Sequence, residues 1–359
     1  MSIRVAIKLL LLLKIVIFYP SCIPAGTDKE RDFSELPNLM SVNELDSLME
    51  RGYFSRPEAG MEALVLVEVS APARYATEGH IPGALQAWRP DYGADSILPY
   101  GGLRASRSQM ETWLGSLGIH PRDHIILYDH RGSVDALRLR WILKLYGHPA
   151  VSILDGGKKA WQMAGFPLEQ APESKKSPVE YRFPYPEDRA ELAHLDDLML
   201  AMSDSNSQIL DAREPEEFHG HPFLQGQAIV PWKNGAFDYG RIPGSLHLNW
   251  SNAVNLHGDH CFKPVDVIRY NAEKAGLTPD KQIIAYCQSG VRSAHMTFVL
   301  KELLGYPDVK NYDGSWIEWS FFHAQVPDIP ADKDLDRLRH GEMSMRMEEA
   351  LKQKTKAAQ

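Results

Sequence analysis

Apolar residues fall along this chain in short continuous runs separated by longer amphipathic stretches. Residues 63–69 form a near-continuous apolar run of the kind found in strands buried on both faces, and His124–Tyr128 and Val151–Leu154 read the same way. Between them the period lengthens, and 106–117 and 133–146 predict helices, the first stopped by Gly118. Ser41-Val42-Asn43-Glu44 spells a capping box opening an earlier helix, with Leu45 and Leu48 on its apolar face. Gly79-His80-Ile81-Pro82-Gly83-Ala84 predicts a turn into a further strand. Strands alternating with helices predict an α/β fold, a mainly parallel sheet with helices on both faces.

The same order then recurs. One gapless offset pairs Tyr128 with Tyr286, Asp129 with Cys287, Gly132 with Gly290 and Ala136 with Ala294. It also pairs Asp155-Gly156 with Asp313-Gly314 and Trp161 with Trp319. Upstream, Gly79-His80-Ile81-Pro82-Gly83 matches Gly240-Arg241-Ile242-Pro243-Gly244, and Glu68…Pro72…Tyr75 matches Asp211…Pro215…Phe218. These two matches lie further apart in the second copy, which marks an insertion within 220–239. The chain is therefore a duplication of one α/β unit. Domains are expected over 38–168 and 188–325, with a linker over 169–187 where Pro172, Pro178, Pro184 and Pro186 interrupt any periodicity. A charged, helix-prone tail follows over 330–359.

At one stretch the copies agree in scaffold and differ in chemistry. Ile283-Ile284-Ala285-Tyr286 reads as a buried strand ending at Cys287, followed by the turn Gln288-Ser289-Gly290 and a helix from Ser293 to about Leu304. Backbone N–H groups converge at such a helix start and Arg292 lies five residues on, surroundings that favour thiolate over thiol. The competing reading is a core cysteine that happens to end a strand, since free cysteine is among the most buried residue types. The first copy argues against it. Asp129 occupies the equivalent position, so the place accepts a polar group and is expected near solvent.

Totals narrow the class. A chain of 359 residues suggests about two domains. A net charge of −8 with no basic stripe argues against nucleic acid as partner. The three cysteines, Cys22, Cys261 and Cys287, have no CxxC or Cys/His ligand spacing, which argues against a disulfide framework or a structural metal site; no cofactor is called for. Residues 1–25 have the layout of an export signal, with Arg4 and Lys8 before an apolar run that Lys14 interrupts. They predict an exported, periplasmic or extracytoplasmic protein. Ser21-Cys22 offers a lipoprotein cleavage site as the alternative, with anchoring to the membrane through Cys22, although Tyr19 and Pro20 fit that pattern poorly.

The pieces Asp211-Ala212-Arg213…Glu217-Phe218, Gly240-Arg241-Ile242-Pro243-Gly244-Ser245, the Cys287 loop and Tyr312-Asp313-Gly314-Ser315-Trp316 together resemble the rhodanese family in its two-domain sulfurtransferase form. The resemblance spans 42–319. It implies two tandem rhodanese-like domains, the first catalytically silent, and a catalytic Cys287 that carries sulfur as a persulfide. Arg213 looks like the family's substrate-contacting arginine, with Asp211 in support; the alternative is an ion pair with Asp211 that braces the loop. Gln288, Ser289, Gly290, Val291 and Arg292 are the expected substrate-binding loop, whose N–H groups and added charge suit a sulfane intermediate and an anionic donor.

The expected activity is transfer of sulfane sulfur from thiosulfate to cyanide or a thiol. A 3-mercaptopyruvate sulfurtransferase is the alternative, but its loop resembles Cys-Gly-Ser-Gly-Val-Thr, and Glu217 stands here where a second arginine binds that substrate's carboxylate. Cysteine phosphatases resemble Cys-x5-Arg, one residue longer than Cys287 to Arg292. A non-enzymatic sulfur carrier, sensor or binding module is the third reading. The insertion over 219–239, with Trp232 and Lys233, is expected either as a lid or as a surface loop; His219 and His221 lack partners for a metal, and Cys261 reads as non-catalytic.

Overall fold

The structure, a computed structural model, describes residues 33, 35–55, 62–94, 98–170, 177–220, 223–225, 228–230 and 235–325. The expected signal over 1–25, the tail over 330–359, and Trp232 and Lys233 lie outside the described residues.

The first copy runs β1 (Leu39–Met40), α1 (Val42–Glu50), β2 (Leu64–Val69), α2 (Pro72–Glu78), β3 (Leu85–Ala87), α3 (Arg89–Tyr92), α4 (Arg107–Ser116), β4 (His124–Tyr128), α5 (Val134–Leu145), β5 (Val151–Leu154) and α6 (Gly157–Met163). The second runs β6 (Leu192–Ala193), α7 (Leu195–Ala201), β7 (Ser207–Asp211), α8 (Pro215–His219), β8 (Phe223–Gln225), β9 (Ala228–Val230), β10 (Leu246–His247), a 3-10 turn (Trp250–Ala253), α9 (Val265–Lys274), β11 (Gln282–Tyr286), α10 (Val291–Phe298), a π turn (Val299–Leu303), β12 (Val309–Tyr312) and α11 (Ser315–Gln325). Two parallel five-stranded sheets result, in the orders β1-β5-β4-β2-β3 and β6-β12-β11-β7-β10. Strand for strand the orders are the same, so the chain is two tandem α/β domains of one topology. Part of the insertion is an antiparallel hairpin, Phe223 to Gln225 against Ala228 to Val230.

Local signals became local structure. Ser41 accepts from the Glu44 N–H while Glu44 reaches back to Ser41, which closes the capping box that starts α1. The central strands are buried along their length, as their apolar runs require; even Glu68 in β2 is fully covered. That carboxylate is held by Tyr128 Oη at 2.8 Å, Ser70 Oγ at 2.7 Å and Lys158 Nζ at 2.6 Å. The second domain repeats the device with Asp211 and Tyr286 Oη at 2.6 Å. In both, the tyrosine hydroxyl accepts an N–H from the turn before the next strand, Ile81 or Ile242. A buried carboxylate with no such partners would cost several kcal/mol. The helix after Cys287 starts at Val291, two residues before the expected Ser293, because Gly290 closes the turn in the left-handed region at φ 75°.

The domains meet through the two helices that follow the equivalent loops. Ala294 and Phe298 of α10 share an apolar cluster with Leu137 and Trp141 of α5, while Val134 of α5 joins the cluster of the second domain. Each domain also covers the other's loop. The 254–262 segment lies over the Asp129 loop: Phe262 N–H donates to Asp155 at 2.9 Å, and Val254 and Leu256 pack on Gly132. The 100–104 segment lies over the Cys287 loop: Arg104 pairs with Asp313 at 2.5 Å and Tyr100 Oη donates to Glu318 at 2.6 Å.

Contact at this second cover is closest at Gly102, which sits at φ +96°; a Cβ there would stand 2.7 Å from the Cβ of Ser289. A Gly102→Ala variant therefore strains its own backbone and pushes on the loop from the other domain. It should lose about 1–3 kcal/mol of stability, read from the urea midpoint. An unchanged midpoint would show that the first domain does not bear on the loop.

Candidate active site

Cys287 directly follows β11 and is 1% exposed. Its loop is held from behind by its carbonyls and from below by one hydroxyl. Trp316 and Ile317, at the start of α11, donate their N–H groups to the carbonyls of Cys287 and Gln288, both at 3.0 Å. Ser315 Oγ accepts from the N–H groups of Cys287 at 3.1 Å and Gly290 at 3.0 Å, and donates to the Tyr312 carbonyl at 2.8 Å. The Gly290 carbonyl is tied to Asn311 and, from the first domain, to Arg138, each at 3.2 Å. With the carbonyls anchored outward, N–H groups of Ser289 and Ser293 turn to the sulfur, and Ser293 Oγ donates to Sγ at 3.5 Å. Burial pushes the Cys287 thiol up; the Arg292 charge, the Ser293 hydroxyl and those two N–H groups outweigh it, and the thiol lies below its ordinary value.

The first domain shows what this loop is built to bind. Asp129, at the position of Cys287, is fully buried rather than near solvent as its polarity suggests. Its Oδ1 accepts N–H groups from Arg131 at 2.7 Å and Ser133 at 2.9 Å; its Oδ2 accepts from Asp135 at 2.8 Å and Ala136 at 3.2 Å. Burial and the nearby Asp135 push this carboxyl above its ordinary value, and the N–H groups offset only part of that. Both oxygens accept two donors each, which is the pattern of an ionised carboxylate. The strand–loop–helix turn is thus an anion receptor, filled in the first domain by the chain's own side chain. The gapless offset maps its four donors onto Ser289, Val291, Ser293 and Ala294, and two of these donate to Cys287.

Both arginines are held in buried ion pairs. Arg213 is 1% exposed and its fork grips Asp211, with Nη2 at 2.6 Å and Nε at 2.9 Å. Nη2 also reaches the Gly240 carbonyl at 2.8 Å, and the guanidinium lies 4.7 Å from the centre of the Trp316 ring. It supplies the charge that Lys158 gives Glu68 in the first domain, which is the bracing alternative for this pair. Arg292 forms a buried two-pronged pair with Glu217, at 2.5 and 2.8 Å, with Glu214 at 3.8 Å. Glu217 is consequently not a bare carboxylate facing the loop. Gln288 and Val291 are buried at the loop, and Ser289 and Val291 line a cleft of 430 Å³ between the domains. A larger cavity of 570 Å³, bounded by Tyr100, Arg104 and Tyr146, includes no residue of the Cys287 loop. Cys261 is unsuited to nucleophilic work, its thiol pushed up to about 12 by burial, Asp155 and Asp259.

Three contributors escaped the sequence reading. Ser315 and Ser293 align with Gly157 and Asp135, so the same offset that exposed Cys287 could have found them. At Gly157 a Cβ would collide with the Asp129 carbonyl, so the first domain has no room for the hydroxyl that holds the Cys287 loop. Arg138 carried no signal, because its partners Gly290 and Asp313 belong to the other domain.

Alkylation of Cys287 by iodoacetamide should reach half its limiting rate below the pH of a free cysteine, about 8.5. Ser293→Ala should raise that midpoint by about one unit, the worth of one hydrogen bond to a charged group; an unmoved midpoint removes the hydroxyl from the site. Because the folded chain holds this proton less tightly than the unfolded one, the thiol adds stability that is complete above the unfolded value. That increment is lost as pH falls through the lower folded value, and Cys287→Ser should abolish it.

The rhodanese-like domain family matches residues 43–164 and 194–321. The sulfur carrier protein TtuD of Thermus thermophilus is 35% identical over 245 residues, which are 67% of this chain and 82% of that one. The thiosulfate sulfurtransferase of Azotobacter vinelandii is 32% identical over 304 residues, 84% of this chain and 99% of its own length. Among solved structures, the anaerobic ergothioneine biosynthesis enzyme of Chlorobium limicola, in complex with trimethyl histidine, superposes with a TM-score of 0.68 at 23% identity. The match covers 84% of this chain and 71% of that one, a likeness of fold. With both of its domains matched and relatives aligned along most of its length, this chain belongs to the rhodanese-like family.

Proposed function

We propose that the chain is a thiosulfate sulfurtransferase working through a Cys287 persulfide. One observation carries the reading: the loop that in the first domain encloses the Asp129 carboxylate brings no carboxylate of its own in the second and turns the same kind of donors on a sulfur. The Cys287 thiolate attacks the outer sulfur of thiosulfate; the S–S bond to the sulfonate breaks and sulfite leaves with its electron pair, giving Cys287–S–S⁻. Cyanide or a thiolate then attacks the outer sulfur and releases thiocyanate or an organic persulfide together with the original thiolate. The N–H cradle stabilises the anion at both stages, and one donor of this kind is worth about 2.7–4 kcal/mol of barrier. The names of the Azotobacter and Thermus relatives agree with sulfur transfer. Against 3-mercaptopyruvate stands the engagement of Arg292 by Glu217, which leaves no free fork there for a substrate carboxylate.

Thiosulfate:cyanide transfer should exceed turnover of 3-mercaptopyruvate and of an aryl phosphate, and Cys287→Ser should abolish it. Thiosulfate treatment should add one sulfur, about 32 Da, to the peptide holding Cys287. Equal activity in wild type and Cys287→Ser would overturn the reading, as would an active enzyme whose Cys287 never gains that mass. The reading includes export, supported by the residues before position 26 alone. The mass of the mature N-terminus should show their removal, and a retained Met1 would end that part of it.

A further inference from the structure

A thiosulfate ion uses little of the 430 Å³ cleft beside the loop, a volume within the range of about 300–1,000 Å³ typical for larger organic ligands. The opposite wall comes from the first domain: Arg89, Pro90 and Tyr92, with Leu103 and Arg138. Arg89 is fixed by Asp135, with Nη2 at 2.7 Å and Nε at 3.2 Å from one oxygen, while Arg131 holds the other oxygen at 3.1 Å. Its side chain is nonetheless 45% exposed, so the guanidinium is oriented without being enclosed. Burial alone would weaken its hold on the proton; Asp135 above all, with smaller contributions from Tyr92 and Cys287, reverses that. Tyr92 is 3% exposed, and its hydroxyl has no hydrogen-bond partner among the described residues. A buried hydroxyl left without an acceptor costs about 1–3 kcal/mol. Beside an oriented cation, that cost is recovered when an anion enters.

Resting on the sulfurtransferase reading, we propose that the first domain carries the acceptor-recognition site. There Arg89 and Tyr92 bind the carboxylate of an organic thiol whose sulfur reaches the Cys287 persulfide across the cleft. The acceptor thiolate attacks the outer sulfur, the Cys287–S bond to it breaks, and the products are R–S–S⁻ and the Cys287 thiolate, with no change in total charge. Pro90, Leu103 and Val291 give the acceptor's carbon chain an apolar path between the two ends. The domain that lacks the cysteine thus has a role in choosing what receives the sulfur.

The probes are 3-mercaptopropionate and its amide, which have the same size and differ in charge. Wild type should favour the acid in kcat/KM. Arg89→Gln should cut the acid-to-amide ratio by about tenfold or more, largely through KM, and Tyr92→Phe by about three- to tenfold, with Arg89→Lys restoring part of the loss. Calorimetry with unreactive S-methyl-3-mercaptopropionate gives a readout independent of turnover: wild type should bind it, and Arg89→Gln should not. A ratio or affinity indifferent to Arg89 and Tyr92 overturns the proposal while leaving the transferase reading intact. Binding that depends on Arg89 in a protein with no turnover would support the site and reject the transferase instead.

Discussion

The convergence of backbone N–H groups where a buried strand passes into a helix is the interaction on which the rest of this molecule depends. It exists because three carbonyls of the loop are drawn the other way. Trp316, Ile317, Asn311 and Arg138 take the carbonyls of Cys287, Gln288 and Gly290, and Ser315 takes two of the N–H groups at the base. What remains is a concave set of donors that wants an anion. The first domain satisfies it with Asp129; the second presents it to Cys287 and, with Arg292, lowers that thiol. Burial to 1% exposure would by itself push this thiol up, and Arg292 together with the donors reverses that.

The charges of the second domain serve this scaffold more than they serve a ligand. Arg213 neutralises Asp211 beneath Tyr286, and Arg292 is balanced by Glu217. Removing one member of such a pair typically costs about 3–5 kcal/mol, so each partner is fixed by the other. Arg292 still lowers the Cys287 thiol, though as half of an ion pair. The most exposed arginine of the cleft is Arg89, itself paired with Asp135, and it belongs to the domain without the cysteine.

Duplication accounts for this division of labour. The two domains pack through α5 and α10, the helices that lead away from the two loops, and each lends a segment to cover the other's loop. Over Asp129 the cover is apolar, Val254 and Leu256 against Gly132. Over Cys287 it is glycine, Gly102 against Ser289, with the cleft alongside. One geometry therefore closes over the Asp129 loop and leaves a cleft beside the Cys287 loop.

The sequence by itself determined the elements, the duplication and the candidate nucleophile. Strand runs, the Ser41 capping box and the left-handed glycine of the loop are local properties of a few neighbouring residues. The offset between copies compares residues in one chain and needs no coordinates, which is why Asp129 against Cys287 was legible and why Gly157 against Ser315 could have been. Tertiary structure decided the environment of each charge. Asp129 was expected near solvent and is fully buried, because four N–H groups supply what water would have. Arg213 and Arg292 have the residue type of substrate ligands, and their ion-pair partners take up that capacity. Arg89, Tyr92 and Arg138 meet the Cys287 loop only because two helices distant in sequence pack face to face, and no local pattern records a contact across that interval.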